Sequence, residues 1–234
     1  ASYIDVLIKL ERIGESKTLV KAVKQAGISC DKIEALSQRL DVEHQDPGPK
    51  ESQDLNKLLD QQKFDDAIKA TLALMETYPS SAMLNLTLGQ CYFELGQIEP
   101  AIDSYQRAIE INPECAEAYF NMGMILKDKG ELDAAIENYQ KVIKIDPNSA
   151  AAYNNMGVVF RDMGNPDSAI KNLKQALSFD PNCAETYNNM GNSFSDKGNH
   201  EAAIKNYQQA IKINPDHADA LANLGFSQRD SGDL

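Results

Sequence analysis

Gly89, Gly123, Gly157, Gly191 and Gly225 follow one another at intervals of 34 residues, and no other feature narrows the possible folds as far. A second glycine series, Gly96, Gly130, Gly164, Gly198 and Gly232, keeps the same interval. So do alanine, at Ala101, Ala135, Ala169 and Ala203, and proline, at Pro79, Pro113, Pro147, Pro181 and Pro215. A fixed period of this size marks a repeat array, in which each unit buries its apolar face against its neighbours. The expectation that 234 residues make one or two domains around a single core therefore does not apply.

The stretch 116–149, AEAYFNMGMILKDKGELDAAIENYQKVIKIDPNS, serves as the unit. Tyr119, Met122, Gly123 and Leu126 recur at helical spacing and predict the apolar face of a first helix. Gly123 costs that helix about 1 kcal/mol against alanine, so a neighbouring helix is expected to pass too close for a Cβ. Gly130 falls at the helix C-terminus, where glycine readily takes a positive φ. Ala134, Ala135, Tyr139, Val142 and Ile143 predict the inner face of a second helix. Asp146-Pro147 ends it, because a residue before proline is pushed out of the helical region. Asn148 or Ser149 is then placed to cap the next helix.

This pattern resembles the tetratricopeptide repeat family, whose period is 34 residues. With Ala116 as position 1, the large residue at position 4 is Tyr119, Tyr153, Tyr187 and Leu221. The first glycine series is position 8, the alanine position 20 and the proline position 32. The aromatic at position 24 is Tyr105, Tyr139 and Tyr207, with Leu173 departing from it. The resemblance implies an all-α fold, a right-handed α-solenoid of antiparallel helix pairs. Full repeats are expected at 82–115, 116–149, 150–183 and 184–217. A degenerate one at 48–81 keeps Ala67 and Pro79 but has Leu55 and Gln62 where the glycines belong. A partial repeat, 218–234, ends the array that begins at 51. Before it, 1–41 reads as a partial helical repeat, with a turn near 7–16 and an extra helix near Asp31 to Leu40. Residues 42–50 read as a hinge, broken by Asp46-Pro47-Gly48-Pro49. Both ends are expected to continue into a longer array.

Composition excludes several functions. Thirty-five Asp and Glu against 23 Lys and Arg, a net charge of -12, give no basic footprint for nucleic acid or for an anionic membrane surface. No apolar run approaches the roughly 18 residues of a membrane span. The 4 cysteines and 3 histidines form no metal-binding spacing. All four cysteines read as reduced thiols, which fits a cytoplasmic setting. No nucleophile–base set and no phosphate-binding loop stand out, so no catalytic residue, cofactor or metal is expected. Asn85-Leu86-Thr87 matches a glycosylation acceptor but falls within a helix.

In the family, the first helices line a concave surface. At 100° per residue, positions 2, 6, 9 and 13 share a stripe turned away from the core. The stripe reads Glu117, Asn121, Met124, Asp128; Ala151, Asn155, Val158, Asp162; Glu185, Asn189, Asn192, Asp196; and Asp219, Asn223, Phe226, Asp230. An amide both donates and accepts, which suits Asn121, Asn155, Asn189 and Asn223 to grip the backbone of an extended peptide. Local hydrogen bonds between helices would use the same residues. The ladder resembles that of the O-linked N-acetylglucosamine transferase family, where it holds substrate peptides. Asp128, Asp162 and Asp196 would select basic or hydroxyl-rich side chains, or form a solvated face with local ion pairs. Lys127 and Arg161 lie beside them at position 12, on an adjoining face with Asn154; Asn188 shares the position of Asn154. Modules that clamp acidic chaperone C-termini carry lysine at position 2 and a base at position 6. Glu117, Ala151, Glu185 and Asp219 stand at position 2 here, so those tails are excluded as partners.

Three functions follow. The first is a non-enzymatic scaffold binding an extended peptide or partner segment in the groove. The second is the substrate-recruiting arm of a larger glycosyltransferase or sulfotransferase. Bacterial transferases with such arrays look similar, down to the degenerate repeat around Leu55-Asn56-Lys57-Leu58-Leu59. The third is self-association through the open ends of the array.

Overall fold

A computed structural model of the chain describes residues 46–231. The helical piece expected at 1–41, residues 42–45 of the hinge and Gly232 lie outside them. Among the described residues there are eleven helices and no strands. They fall into two compact units that part between Ala118 and Tyr119. The first holds α1 (Pro49–Asp60), α2 (Phe64–Met75), α3 (Ala82–Glu94), α4 (Ile98–Ile111) and the start of α5 (Ala116–Asp128). The second holds the rest of α5, α6 (Leu132–Ile145), α7 (Ala150–Asp162), α8 (Pro166–Phe179), α9 (Ala184–Asp196), α10 (His200–Ile213) and α11 (Ala218–Ser231). Within the second unit α6 through α11 pack each on the next, and the first helices α7, α9 and α11 also touch in succession. The fold class is the all-α solenoid of helix pairs expected from the period.

Local chemistry starts and stops these helices. Ser81 and Ser149 cap α3 and α7, their hydroxyls accepting from the Leu84 and Ala152 N–H groups at 3.1 and 3.4 Å. Asn165 and Asn199 cap α8 and α10 in the same way. Residues 46–48 are non-helical, and α1 opens at Pro49. Proline is tolerated at the first helical position because its missing N–H would have had no partner there. The Glu51 carboxylate completes this start by accepting from the Gly48 N–H at 2.8 Å. At the other end of a first helix, Gly130 has φ of +79°. In the degenerate repeat Gln62 takes that left-handed turn itself, with φ of +55°.

The glycines inside α3, α5, α7 and α9 have the reason expected for them, whereas a Cβ on Gly225 in α11 would meet nothing within 4 Å. A Cβ on Gly123 would stand 2.7 Å from Cε1 of Tyr139. Where position 24 is leucine the same seat is filled, since a Cβ on Gly157 would stand 2.7 Å from Cγ of Leu173. The buried face of the first helix differs from the one expected. In α7 the buried residues are Ala152, Met156, Gly157 and Val159, while Tyr153 and Phe160 are only half-buried. The buried set thus lies at positions 3, 7, 8 and 10 rather than 4, 7, 8 and 11. The physical reason is that α7 is covered from more than one side, by α6, α8 and α9, whereas a single-stripe reading assumes one.

Candidate functional site

In the second unit the residues of the predicted stripe differ in burial from one repeat to the next. At α7, Asn155 and Val158 are half-buried and Asp162 is exposed. The Asn155 amide nitrogen turns back to donate to the Ala151 carbonyl at 3.0 Å. Asn121 and Met124 on α5 are half-buried, and Asp128 is exposed. On α9, Asn189 is only 7% exposed and Asp196 is exposed.

The deeper asparagines bond to one another across repeats. Asn189 Nδ2 donates to Asn154 Oδ1 at 3.2 Å. One repeat on, Asn223 Nδ2 lies 3.1 Å from Asn188 Oδ1 and 3.0 Å from Asn192 Oδ1, donating to both. Tyr207 Oη on α10 donates to the same Asn192 oxygen at 2.8 Å. The position-6 amide of one repeat therefore reaches the position-5 amide of the repeat before it, 35 residues earlier. A buried amide left without partners would cost about 1–3 kcal/mol, so these pairs also hold α7, α9 and α11 in register. Hydrogen bonds between helices were the alternative use expected of the position-6 asparagines; their position-5 partners were not foreseen, although the doublets Asn154-Asn155 and Asn188-Asn189 carried the signal.

Charges on the stripe are partly met by neighbours. Lys127 Nζ lies 3.3 Å from Asp128, and Arg161 lies 3.2 Å from Asp162 and 3.9 Å from Asp196. Arg161 thus spans the position-13 acids of two successive repeats. Glu185 at position 2 meets His217 Nε2 at 3.1 Å, while His217 Nδ1 accepts from the Ala220 N–H at the start of α11. In the first unit Gln90 donates to Glu117 at 2.6 Å. Such exposed pairs contribute about 1 kcal/mol or less each, and the face stays acidic. On α11, Phe226 is 57% exposed and lies under the Arg229 guanidinium at 5.4 Å.

Other groups offer little chemistry. Among the described residues no cluster of His, Cys, Asp and Glu is placed to hold a metal, and no helix is long and apolar enough to cross a membrane. Cys91, Cys115 and Cys183 are free thiols. Burial pushes the Cys91 thiol up to about 11 and raises Cys115 as well, which keeps both protonated and poorly nucleophilic. Asn85 of the glycosylation-like triplet is buried, its amide donating to the Ser81 carbonyl.

Comparison with solved structures agrees with this geometry. The chain is similar to the crystal structure of MamA, at 28% identity and a TM-score of 0.63, over 70% of this chain and 96% of MamA. It is also similar to YrrB, described as a TPR protein with an unusual peptide-binding site, at 23% identity and a TM-score of 0.60 over 72% and 87% of the two chains. TTC0263, a thermophilic TPR protein of Thermus thermophilus, matches at 18% identity and a TM-score of 0.61 over 77% and 98%. Likeness to these last two speaks to the fold alone. Comparison with curated proteins finds no significant match. The family model "TPR repeat" matches residues 89–128, 123–164 and 191–232, and "Tetratricopeptide repeat" matches 150–183. Those matches take in more than half of the chain, and with the helix pairs and the glycine–aromatic seats they show that the chain belongs to the tetratricopeptide repeat family.

Proposed function

We propose that this chain is a non-catalytic protein-interaction scaffold, and that the first-helix stripe of its second unit holds an extended peptide of basic or hydroxyl-rich composition. The observation that carries the reading is the α7 rung. Asn155 stands half-exposed with one N–H given to its own helix, so its oxygen and its second N–H are left to meet a peptide backbone. Val158 beside it offers apolar contact, and exposed Asp162 and Asp196 supply negative charge. Family membership supports a scaffold, and the acidic face disfavours acidic tails.

A set of capped decapeptides, some built from Lys, Arg, Ser and Thr and others from Asp and Glu, tests this by fluorescence anisotropy. The basic set binds at least about tenfold more tightly at low salt, and the preference fades at about 0.5 M salt as screening shortens to a few ångström. The triple variant Asp128→Asn, Asp162→Asn, Asp196→Asn removes the preference. Affinity that ignores both peptide charge and salt overturns the reading.

A further inference from the structure

The Asn192 oxygen is committed on both lone pairs, to Tyr207 Oη at 2.8 Å and to Asn223 Nδ2 at 3.0 Å. An amide is planar, with oxygen and nitrogen at opposite corners. Turning the oxygen toward α10 and α11 therefore turns the NH2 group the other way. Asn192 is half-buried at position 9 of the stripe. The other position-9 residues of this unit, Met124, Val158 and Phe226, cannot donate. The fold does not need the bond to seat a tyrosine. Tyr139 occupies the equivalent seat opposite Met124, and its hydroxyl is buried without a partner.

We infer that Asn192 is a ligand-binding hydrogen-bond donor held in that orientation by Tyr207 and Asn223, and that it takes a main-chain carbonyl oxygen of the bound peptide. The oxygen is uncharged because Asp196 and Glu185 on the same helix would repel a carboxylate. The inference rests on the peptide-binding reading above and adds a fixed point of register to it. Asn192 contacts the ligand, whereas Tyr207 and Asn223 are positioning residues.

The test is a titration of the 15N-labelled full chain with a capped decapeptide of alternating Lys and Ser, followed on the asparagine side-chain NH2 signals. The Asn192 pair shifts together with that of Asn155. Asn192→Met, which installs the rung already present at Met124, weakens binding about fivefold, the size of one hydrogen bond. Tyr207→Phe leaves the backbone spectrum in place, moves the Asn192 NH2 signals before any peptide is added, and weakens binding to a similar extent. If the Asn121 and Asn155 signals move while Asn192 stays still and Asn192→Met binds as well as the parent, the inference fails and the peptide reading stands. If no stripe signal moves, the peptide reading fails and this inference with it.

Discussion

The repeat at 116–149 and the repeat at 184–217 share a backbone and differ in how they fill it. In the first, α5 reads AEAYFNMGMILKD, and Tyr139 sits with its ring 5.8 Å from that of Phe120, edge to face, its hydroxyl buried and unpaired. In the second, α9 reads AETYNNMGNSFSD, and Tyr207 sits in the same seat but donates to Asn192. Position 5 changes from Phe120 to Asn188, position 9 from Met124 to Asn192 and position 10 from Ile125 to Ser193, whose hydroxyl donates to the Asn189 carbonyl at 2.9 Å. What stays constant is the glycine against the tyrosine ring. The frame is therefore set by that steric contact and by the small residues around it. The rest of the first helix is left to either apolar packing or an amide network.

The strongest way to break this comparison is at the shared contact. A Cβ on Gly191 would fall 2.4 Å from the Tyr207 ring, and one on Gly123 2.7 Å from Tyr139, so Gly→Val at either position should cost about 3 kcal/mol by overpacking. On Gly225 a Cβ meets no heavy atom within 4 Å. Gly225→Ala should instead gain up to about 1 kcal/mol from helix propensity. Urea midpoints that rank the three sites otherwise would show that the glycine–aromatic seat is not the frame.

The two tyrosines sharpen it next. Tyr207→Phe removes a buried bond and should cost about 1–2 kcal/mol, while Tyr139→Phe removes only an unpaired hydroxyl and should leave the thermal midpoint unchanged or higher. Equal losses would mean that the two repeats are sealed alike.

Position 10 extends the comparison to the first unit, where Cys91 is fully buried and stands where Ser193 does in the later repeat. The folded protein holds the Cys91 proton up to about 11, against 9.0 ordinarily. Its stabilising effect is thus complete below pH 9 and is lost as pH rises toward 11. Cys91→Ala should flatten that alkaline fall in urea midpoints, and Ser193→Ala should leave it as it is. An unchanged slope in the cysteine variant would remove the thiol from the account.

The smallest effect is expected in the degenerate repeat. Gln62 occupies the left-handed region that Gly130 occupies without strain, and Gln62→Gly should raise stability by about 0.5–1 kcal/mol. A loss would show that the Gln62 side chain compensates for its backbone.

Much of this was legible in the residue order because its causes are local or strictly periodic. The 34-residue interval, the glycine turn at Gly130, the cap at Ser149 and the close approach at Gly123 each follow from one residue's steric or hydrogen-bonding needs repeated at a fixed spacing. Less legible was which side of a first helix is covered. Ala152 and Val159 are buried where Tyr153 and Phe160 were expected, because several helices close on α7 and a hydrophobic stripe describes one neighbour at a time.

The asparagines mark the same boundary. Their recurrence at Asn121, Asn155, Asn189 and Asn223 is a property of the sequence, and so is the acidic character of the stripe. Tertiary structure decided which of them are spent. Asn189 and Asn223 reach back 35 residues to Asn154 and Asn188, while Asn155 bonds within its own helix. An amide takes the nearest partner with good geometry, and that partner is chosen by how neighbouring repeats stack, which no single repeat encodes.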